Sequence, residues 1–350
     1  MEPVLPCAPV GPAPPTAMYF SKTPITGRIP RGMRAHTATA AGNEIWVIGG
    51  CDSRSNCFRD VWKFGTESFI WSKPRVTGDI PPVTRAHSST LVDGRIWLFG
   101  GGDGPTYFNA TYYFDTLSLT WVKPEVFGEI PSKRRAHTAV LHDQKIYIFG
   151  GGNGTTALND VYALDVSDIS RPTWKKMNTT GTPPVARGYH TMNLVGTKAV
   201  VFGGSDGSEC FADIHILDIE TLEWMQVQTP TQDPNHARLA HTTTCIGSYL
   251  FVTGGHDGVQ FSNALLVFNL VSLTWENRDP KGVRFSPRGY HCAIMHDSRL
   301  LILGGFNGQV VFDECYTLDL AGSAFLPQIT NFEVPRPEDA LELENTVFRP

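Results

Sequence analysis

The sequence predicts an all-β chain built from six equivalent four-stranded sheets set around an axis. Three observations predict it. An apolar strand ending in a diglycine recurs six times, as EIWVIGG (44–50), RIWLFGG (95–101), KIYIFGG (145–151), KAVVFGG (198–204), YLFVTGG (249–255) and RLLILGG (299–305). A histidine leads each repeat at 36, 87, 137, 190, 241 and 291, and a tryptophan closes five of them at 71, 121, 174, 224 and 275. The first glycines stand 51, 50, 53, 51 and 50 residues apart and the histidines keep the same spacings, so the markers share one register.

Within a repeat the first strand follows the histidine, as in His137-TAVLHD, and a two-residue turn leads to the diglycine strand. The turns are Gly42-Asn43, Asp93-Gly94, Asp143-Gln144, Gly196-Thr197, Gly247-Ser248 and Asp297-Ser298, small or polar residues that close tight hairpins. The third strand is DVWKFG, ATYYFD, DVYALD, DIHILD, ALLVFN or ECYTLD, and the fourth carries the tryptophan. No segment keeps a helical period. One such sheet cannot bury both of its faces, whereas six packed side by side around an axis can.

Composition narrows the function classes. Of 350 residues, 29 are Lys or Arg and 34 Asp or Glu, a net charge of −5 that argues against a nucleic-acid binder. Hydrophobic residues reach 41% and charged ones 18%, the balance of a globular core. No run of 18 apolar residues exists to span a membrane. The first fifteen residues hold six prolines and neither a basic start nor an apolar run. Residues 1–16 are therefore expected to be a disordered leader, 17–326 the ring and 327–350 a flexible acidic tail. Seven cysteines include no C-x-x-C pair; Cys51 and Cys57 share a loop and are expected to be reduced. The triplets at Asn109, Asn153 and Asn178 read as chance matches to the glycosylation pattern. The expected location is cytoplasmic, with the cell cortex included.

These repeats resemble kelch motifs. The diglycine, paired aromatics such as Tyr162 with Trp174, and the P-x-x-R-x-x-H lead-in of Pro184, Arg187 and His190 carry the resemblance over residues 18–326. It implies a six-bladed β-propeller with four antiparallel strands per blade. The chain departs from the pattern in its first two repeats. Arg134, Arg187, Arg238 and Arg288 stand three before the histidine, but Met33 and Thr84 hold that place, with Arg34 and Arg85 one residue later. The two halves of the ring are thus expected to present different lead-in loops. Closure has a trace as well: Phe20 in YFSK lies 51 residues before Trp71 in IWSK, each followed by T-G-x-I-P. Either this N-terminal strand or Phe325, fifty residues after Trp275, completes the last blade.

A residue present in most blades serves what all blades share. On that ground the diglycines, the tryptophans and the six histidines are scaffold, and the histidines lack metal-ligand spacing. The arginines are expected to satisfy carbonyls or a carboxylate such as Asp160, Asp213 or Asp313. Phe58, Phe108, Phe211, Phe261 and Phe312, with Leu158, are expected to cap their own blades. Function is left to blade-specific residues on the face where the longer loops emerge. The candidates for partner binding are Arg54, Tyr107, Glu209, Gln260 and Phe306 after the diglycines, and Phe127, Lys133, His236 and Phe285 in the crossings between blades.

No catalytic constellation emerges: there is no G-x-S-x-G, P-loop or H-E-x-x-H, and His291 and Cys292 are adjacent in a strand and face opposite ways. The expectation is a non-catalytic interaction scaffold without metal or cofactor. It would bind an extended peptide or a surface loop through one loop face, without nucleic acid or membrane insertion, as a monomer or weak oligomer. The resemblance implies roles in cell polarity, small-GTPase signalling or ubiquitin-ligase substrate recognition, as in free-standing kelch proteins of the tip-elongation, Rab-effector and leucine-zipper-like regulator types. The alternative is an enzyme. Plant nitrile-specifier proteins resemble this repeat type and bind iron through E-x-x-x-D-x-x-x-H; Glu209 and Asp213 match, but Leu217 stands where the histidine belongs. Copper-oxidase chemistry of the galactose-oxidase kind is the other enzymatic use of the fold.

Overall fold

The computed structural model describes residues 18–229 and 236–320. It is a six-bladed propeller: six sheets, each built on four antiparallel strands, stand around one axis, and no α-helix occurs among the described residues. Among the described residues no helix is long and apolar enough to cross a membrane. The expected leader, the expected tail and Phe325 fall outside the described residues.

The third blade shows how sequence becomes sheet. Its inner strand Thr138–His142 pairs with Lys145–Gly152, then comes Ala157–Asp165 and at the outside Thr173–Met177. Asp143 and Gln144 both take positive φ, 46° and 58°, the geometry that joins two twisted strands in two residues. The second strand reads as a continuous apolar run because neighbouring blades cover both of its faces. The crossing from the second blade first drops to the far end of the third. There Phe127–Gly128 runs parallel beside Thr173–Trp174 as a fifth, outermost strand before the chain climbs to the next inner strand.

Closure uses the N-terminal strand. Tyr19–Lys22 pairs antiparallel with Cys315–Asp319, Phe20 is fully buried, and Lys22 Nζ meets Glu314 Oε1 at 2.6 Å.

The repeated markers turn out to be contacts between blades. Trp174 packs on Phe99 of the preceding blade with centroids 4.7 Å apart, as Trp224 does on Phe149 at 5.0 Å. Each histidine but one reaches back to a hydroxyl of the preceding inner strand: His87 to Thr37 (3.0 Å), His137 to Ser88 (2.9 Å), His190 to Thr138 (2.7 Å), His241 to Thr191 (3.0 Å) and His291 to Thr242 (3.1 Å). The diglycine exists to admit that neighbour. A Cβ on Gly150 would lie 2.7 Å from the Arg187 carbonyl oxygen and 3.1 Å from His190 Cε1, and φ there is +64°. The next amide, Gly151, donates to the same carbonyl at 2.8 Å.

The arginines three before the histidines are structural, as expected. Arg134 and Arg187 donate to the first-glycine carbonyls Gly150 (3.1 Å) and Gly203 (3.0 Å) and grip Asp160 and Asp213 with both Nη atoms. In the last blade Arg288 binds Glu314 at 3.1 Å rather than Asp313, which is exposed. One further expectation is corrected. The capping place in the fifth blade belongs to Ser262, whose amide donates to Gly255 as Phe211 does to Gly204; Phe261 sits one residue earlier.

Candidate functional site

A ring of backbone hydrogen bonds closes around the axis on the face of the longer loops. Ala35 donates to Tyr290 (2.9 Å), Ala86 to Ala35 (2.8 Å), Ala136 to Ala86 (2.8 Å), Tyr189 to Ala136 (2.9 Å), Ala240 to Tyr189 (2.9 Å) and Tyr290 to Ala240 (2.8 Å). All six residues sit at positive φ between 51° and 58°, a conformation costly for side chains other than glycine. Four are alanines. The two tyrosines are blade-specific, and their rings meet edge to face at 5.5 Å across the mouth.

The residue just before each of these divides the mouth in half. In the first three blades it is Arg34, Arg85 and Arg135; in the others it is Gly188, Leu239 and Gly289. Each bridges to the first residue of its own blade's loop, as in Arg135 with Gly152. Three guanidiniums therefore form an arc on adjacent blades. Arg34 lies over Phe306 at 4.6 Å and donates to Ser55 Oγ at 2.9 Å. Arg85 donates to the same oxygen at 3.3 Å and approaches Cys51 Sγ at 3.5 Å. Arg135 stacks over Tyr107 at 4.6 Å and donates to the Gly104 carbonyl at 3.2 Å. Among the described residues none of the three pairs with a carboxylate, in contrast to Arg134, Arg187 and Arg288. A cavity of about 410 Å³ opens beside the arc, lined by Tyr107, Arg135, Thr155, Tyr189, Asp206, Leu239 and Tyr290. Burial pushes the Tyr290 phenol up to about 12, so it stays a neutral donor.

The sequence candidates divide by position. Tyr107 and Phe306 are at the mouth, each beneath an arginine of the arc. Arg54, Glu209 and Gln260 are exposed at loop tips, their amides bonded to Asp52 (2.9 Å), Asp206 (2.9 Å) and Asp257 (2.7 Å). Lys133 is exposed in the lead-in to the third blade. Three crossing residues lie elsewhere. Phe285 is fully buried in the core between the last two blades, edge-on to Phe20 at 5.8 Å. Phe127 sits on the outermost strand at the hairpin end, under Arg171 at 4.7 Å. His236 packs tilted against Trp275 with centroids 4.5 Å apart and accepts from Arg238 Nε through its carbonyl. A crossing dips along the outside of the blade before it returns to the loop face, which is why position in a crossing did not mean position on that face.

Arg135, Tyr189 and Tyr290 were missed. The signal was present: the two positions before the histidine read RA, RA, RA, GY, LA and GY around the ring. The partial iron pattern finds no support in geometry. Arg187 holds both Asp213 oxygens, Glu209 is at a loop tip and Leu217 is buried. One cluster with metal-type ligands occurs among the described residues, Glu67, His296 and Asp297, and Arg299 is ion-paired with both of its carboxylates.

Comparison with known proteins agrees with this architecture. The chain matches the KLHDC2/KLHL20/DRC7 kelch-repeats domain over residues 15–168, 118–305 and 229–341. It is similar to kelch domain-containing protein 3 of Bos taurus, 29% identical over 299 residues that make up 79% of this chain and 64% of that protein. It is also similar to acyl-CoA-binding domain-containing protein 5 of Arabidopsis thaliana, at 30% over 145 residues, 40% of this chain and 22% of that protein. With the Rho GTPase-activating protein gacHH of Dictyostelium discoideum it shares 34% over 131 residues, 35% of this chain and 8% of that protein. The matched part spans less than two thirds of each of these relatives. Six blades with diglycine and histidine in one register, five of them closed by a tryptophan, and a family match along nearly the whole ring, make this chain a member of the kelch-repeat propeller family.

Proposed function

We propose that the chain is a protein-interaction module that binds a carboxylate-bearing segment of its partner at the axial mouth. The observation that carries this reading is the arc of Arg34, Arg85 and Arg135, three guanidiniums without carboxylate partners among the described residues, beside an aromatic-lined cavity. Arginine is the side chain best suited to hold carboxylates by paired hydrogen bonds, and arginine and tyrosine dominate interface energetics. The stacking of Arg135 on Tyr107 and of Arg34 on Phe306 presets two of the three forks, which lowers the ordering cost of binding. Arg54 and Lys133 add positive charge at the rim, where it steers encounter more than it holds a complex.

Small-GTPase signalling, cell polarity and ubiquitin-ligase substrate recognition are the cellular settings we assign to this activity. The first accords with the name of one relative, a Rho GTPase-activating protein. The test is direct. Binding of a fluorescent Glu-rich peptide to the wild-type chain should weaken with rising salt and be lost in the triple variant Arg34→Ala, Arg85→Ala, Arg135→Ala. Equal binding by both proteins would remove the mouth as the site. In cells, proximity labelling with the same pair should give partner sets that differ in acidic proteins.

A further inference from the structure

The first blade carries a cysteine pair that the other five lack. Cys51 and Cys57 face each other as an isolated antiparallel bridge at the base of their loop. The equivalent places hold Gly102 and Tyr107, Gly152 and Ala157, Ser205 and Cys210, His256 and Phe261, and Phe306 and Val311. Residues opposed in such a bridge have Cα atoms roughly 4.5–5.5 Å apart, inside the roughly 4.4–6.8 Å that a disulfide spans. Cys51 is buried and Cys57 half-buried, and both are thiols. Arg85 Nη1 stands 3.5 Å from Cys51 Sγ, Arg34 reaches the same loop through Ser55, and Asp103 acts on Cys57 from the other side. The neighbouring Cys57, followed by the guanidiniums of Arg85 and Arg34, draws the Cys51 thiol down to about 6, while the same pairing pushes the Cys57 thiol up.

We infer that Cys51 and Cys57 form a dithiol oxidation site, closed to a disulfide by a hydroperoxide and reopened by a thiol reductant, at the edge of the arginine arc. The Cys51 thiolate attacks one oxygen of a hydroperoxide admitted past Cys57. The O–O bond breaks, a sulfenic acid forms on Cys51, and the departing alkoxide or hydroxide takes a proton from water. Cys57 then attacks the sulfenyl sulfur; its proton and the sulfenyl hydroxyl leave as water, and the S–S bond forms. Two sulfurs have given up two electrons and one peroxide has been reduced. Oxidation also removes the negative sulfur that Arg85 contacts, which frees that guanidinium for the mouth. This last consequence rests on the carboxylate-binding reading; the disulfide itself does not.

Arg54 lies between the two cysteines, so trypsin cuts the loop into Ala35–Arg54 and Ser55–Arg59. After treatment of the full chain with hydrogen peroxide and alkylation of free thiols, mass spectrometry should find these two peptides linked, and dithiothreitol should separate them. Cys57→Ser should abolish the link and leave Cys51 as a sulfenic acid that dimedone traps. Cys292, half-buried, and Cys315, buried, have thiols pushed up to about 12 and should remain unmodified. Both peptides alkylated to the same extent with and without peroxide would overturn the assignment, as would a Cys57→Ser protein without dimedone adduct. A Glu-rich peptide should bind the oxidised chain several-fold tighter than the reduced one. Equal affinity with the link present would overturn the role given to Arg85. A linked pair with no peptide binding in either state would refute the partner reading and sustain the oxidation site.

Discussion

Phe20 lies opposite Leu318 in the antiparallel pair that joins the first strand to the last. Both side chains are fully buried, and Phe20 also meets Phe285 edge to face at 5.8 Å. A propeller is held by the contact of each blade with the next, so this pair closes the ring. Phe20→Ala is expected to lower unfolding stability by about 3–5 kcal/mol, the usual cost of emptying a buried aromatic site. Tyr19→Ala, one residue away on a side chain 54% exposed, should change it by less than about 0.5 kcal/mol. Denaturant midpoints of the two variants check this, and similar losses would mean that the first strand does not close the ring.

Among the described residues, His36 is the one axial histidine whose ring nitrogens have no hydrogen-bond partner. The place that holds Thr or Ser in five inner strands is Cys292 in the sixth, and its Sγ lies against the His36 carbonyl at 3.2 Å. Cys292→Thr supplies the missing hydroxyl. It should raise stability by about 0.5–1.5 kcal/mol, the net worth of one hydrogen bond made to a buried group. A fall in stability would show that the site needs the sulfur for packing more than the imidazole needs a partner.

These cases mark what could be read from residues alone. Markers such as Gly150, His190 and Trp224 were legible because one inter-blade contact is made many times over and must use the same residue types each time. Residue type points to Asp313 and Phe261, whereas residue count is the better guide. Ser262 is seven residues past its diglycine, as Phe211 and Phe312 are past theirs. The arc was half-seen: Arg34 and Arg85 stood out as departures, but Arg135 hid beside the structural Arg134. Nothing in a crossing's length shows where it dips along the blade, so Phe285 reads as a surface residue although it belongs to the core.

The histidine belt also sets an acid limit. Burial lowers His36 to about 4 and His87, His190 and His291 to about 3, and holds His137 and His241 well below the ordinary 6.5. Between those values and 6.5 the unfolded chain binds protons that the fold refuses, so stability rises with pH. It is fully present above about 6.5 and lost as pH falls, by up to about 1.4 kcal/mol per pH unit for each such histidine. Urea midpoints at pH 7 and pH 5 in one buffer series should therefore differ widely. A flat profile would mean that these imidazoles are hydrated in the fold.

Arg187 and Asp213 offer a test of the structural arginines. The guanidinium is fully buried, and its partner carboxylate is 21% exposed. Asp213→Ala leaves the cation without its counter-charge and should destabilise by about 3 kcal/mol, the low end for a broken buried pair because water still reaches this one. Peptide binding at the mouth, per folded molecule, should not change. A variant that folds normally but loses binding would move these arginines from the scaffold to the site.

The stack of Arg135 on Tyr107 makes the two residues one binding element. The Tyr107 ring lies beneath the guanidinium, its centroid 4.6 Å from Arg135 Cζ, and the Gly104 carbonyl accepts from the guanidinium at 3.2 Å. Removing the ring should cost binding even where the partner never touches it, because the arginine then loses its orientation. Arg135→Ala and Tyr107→Ala should each weaken binding of a Glu-rich peptide, and the double variant should lose less than the sum, with a coupling of about 0.5–1 kcal/mol. Arg54→Ala at the rim should instead slow association and reduce its salt dependence while leaving dissociation unchanged. Stopped-flow measurement separates the two behaviours, and strictly additive losses at Arg135 and Tyr107 would show that the ring contacts the partner independently of the arginine it supports.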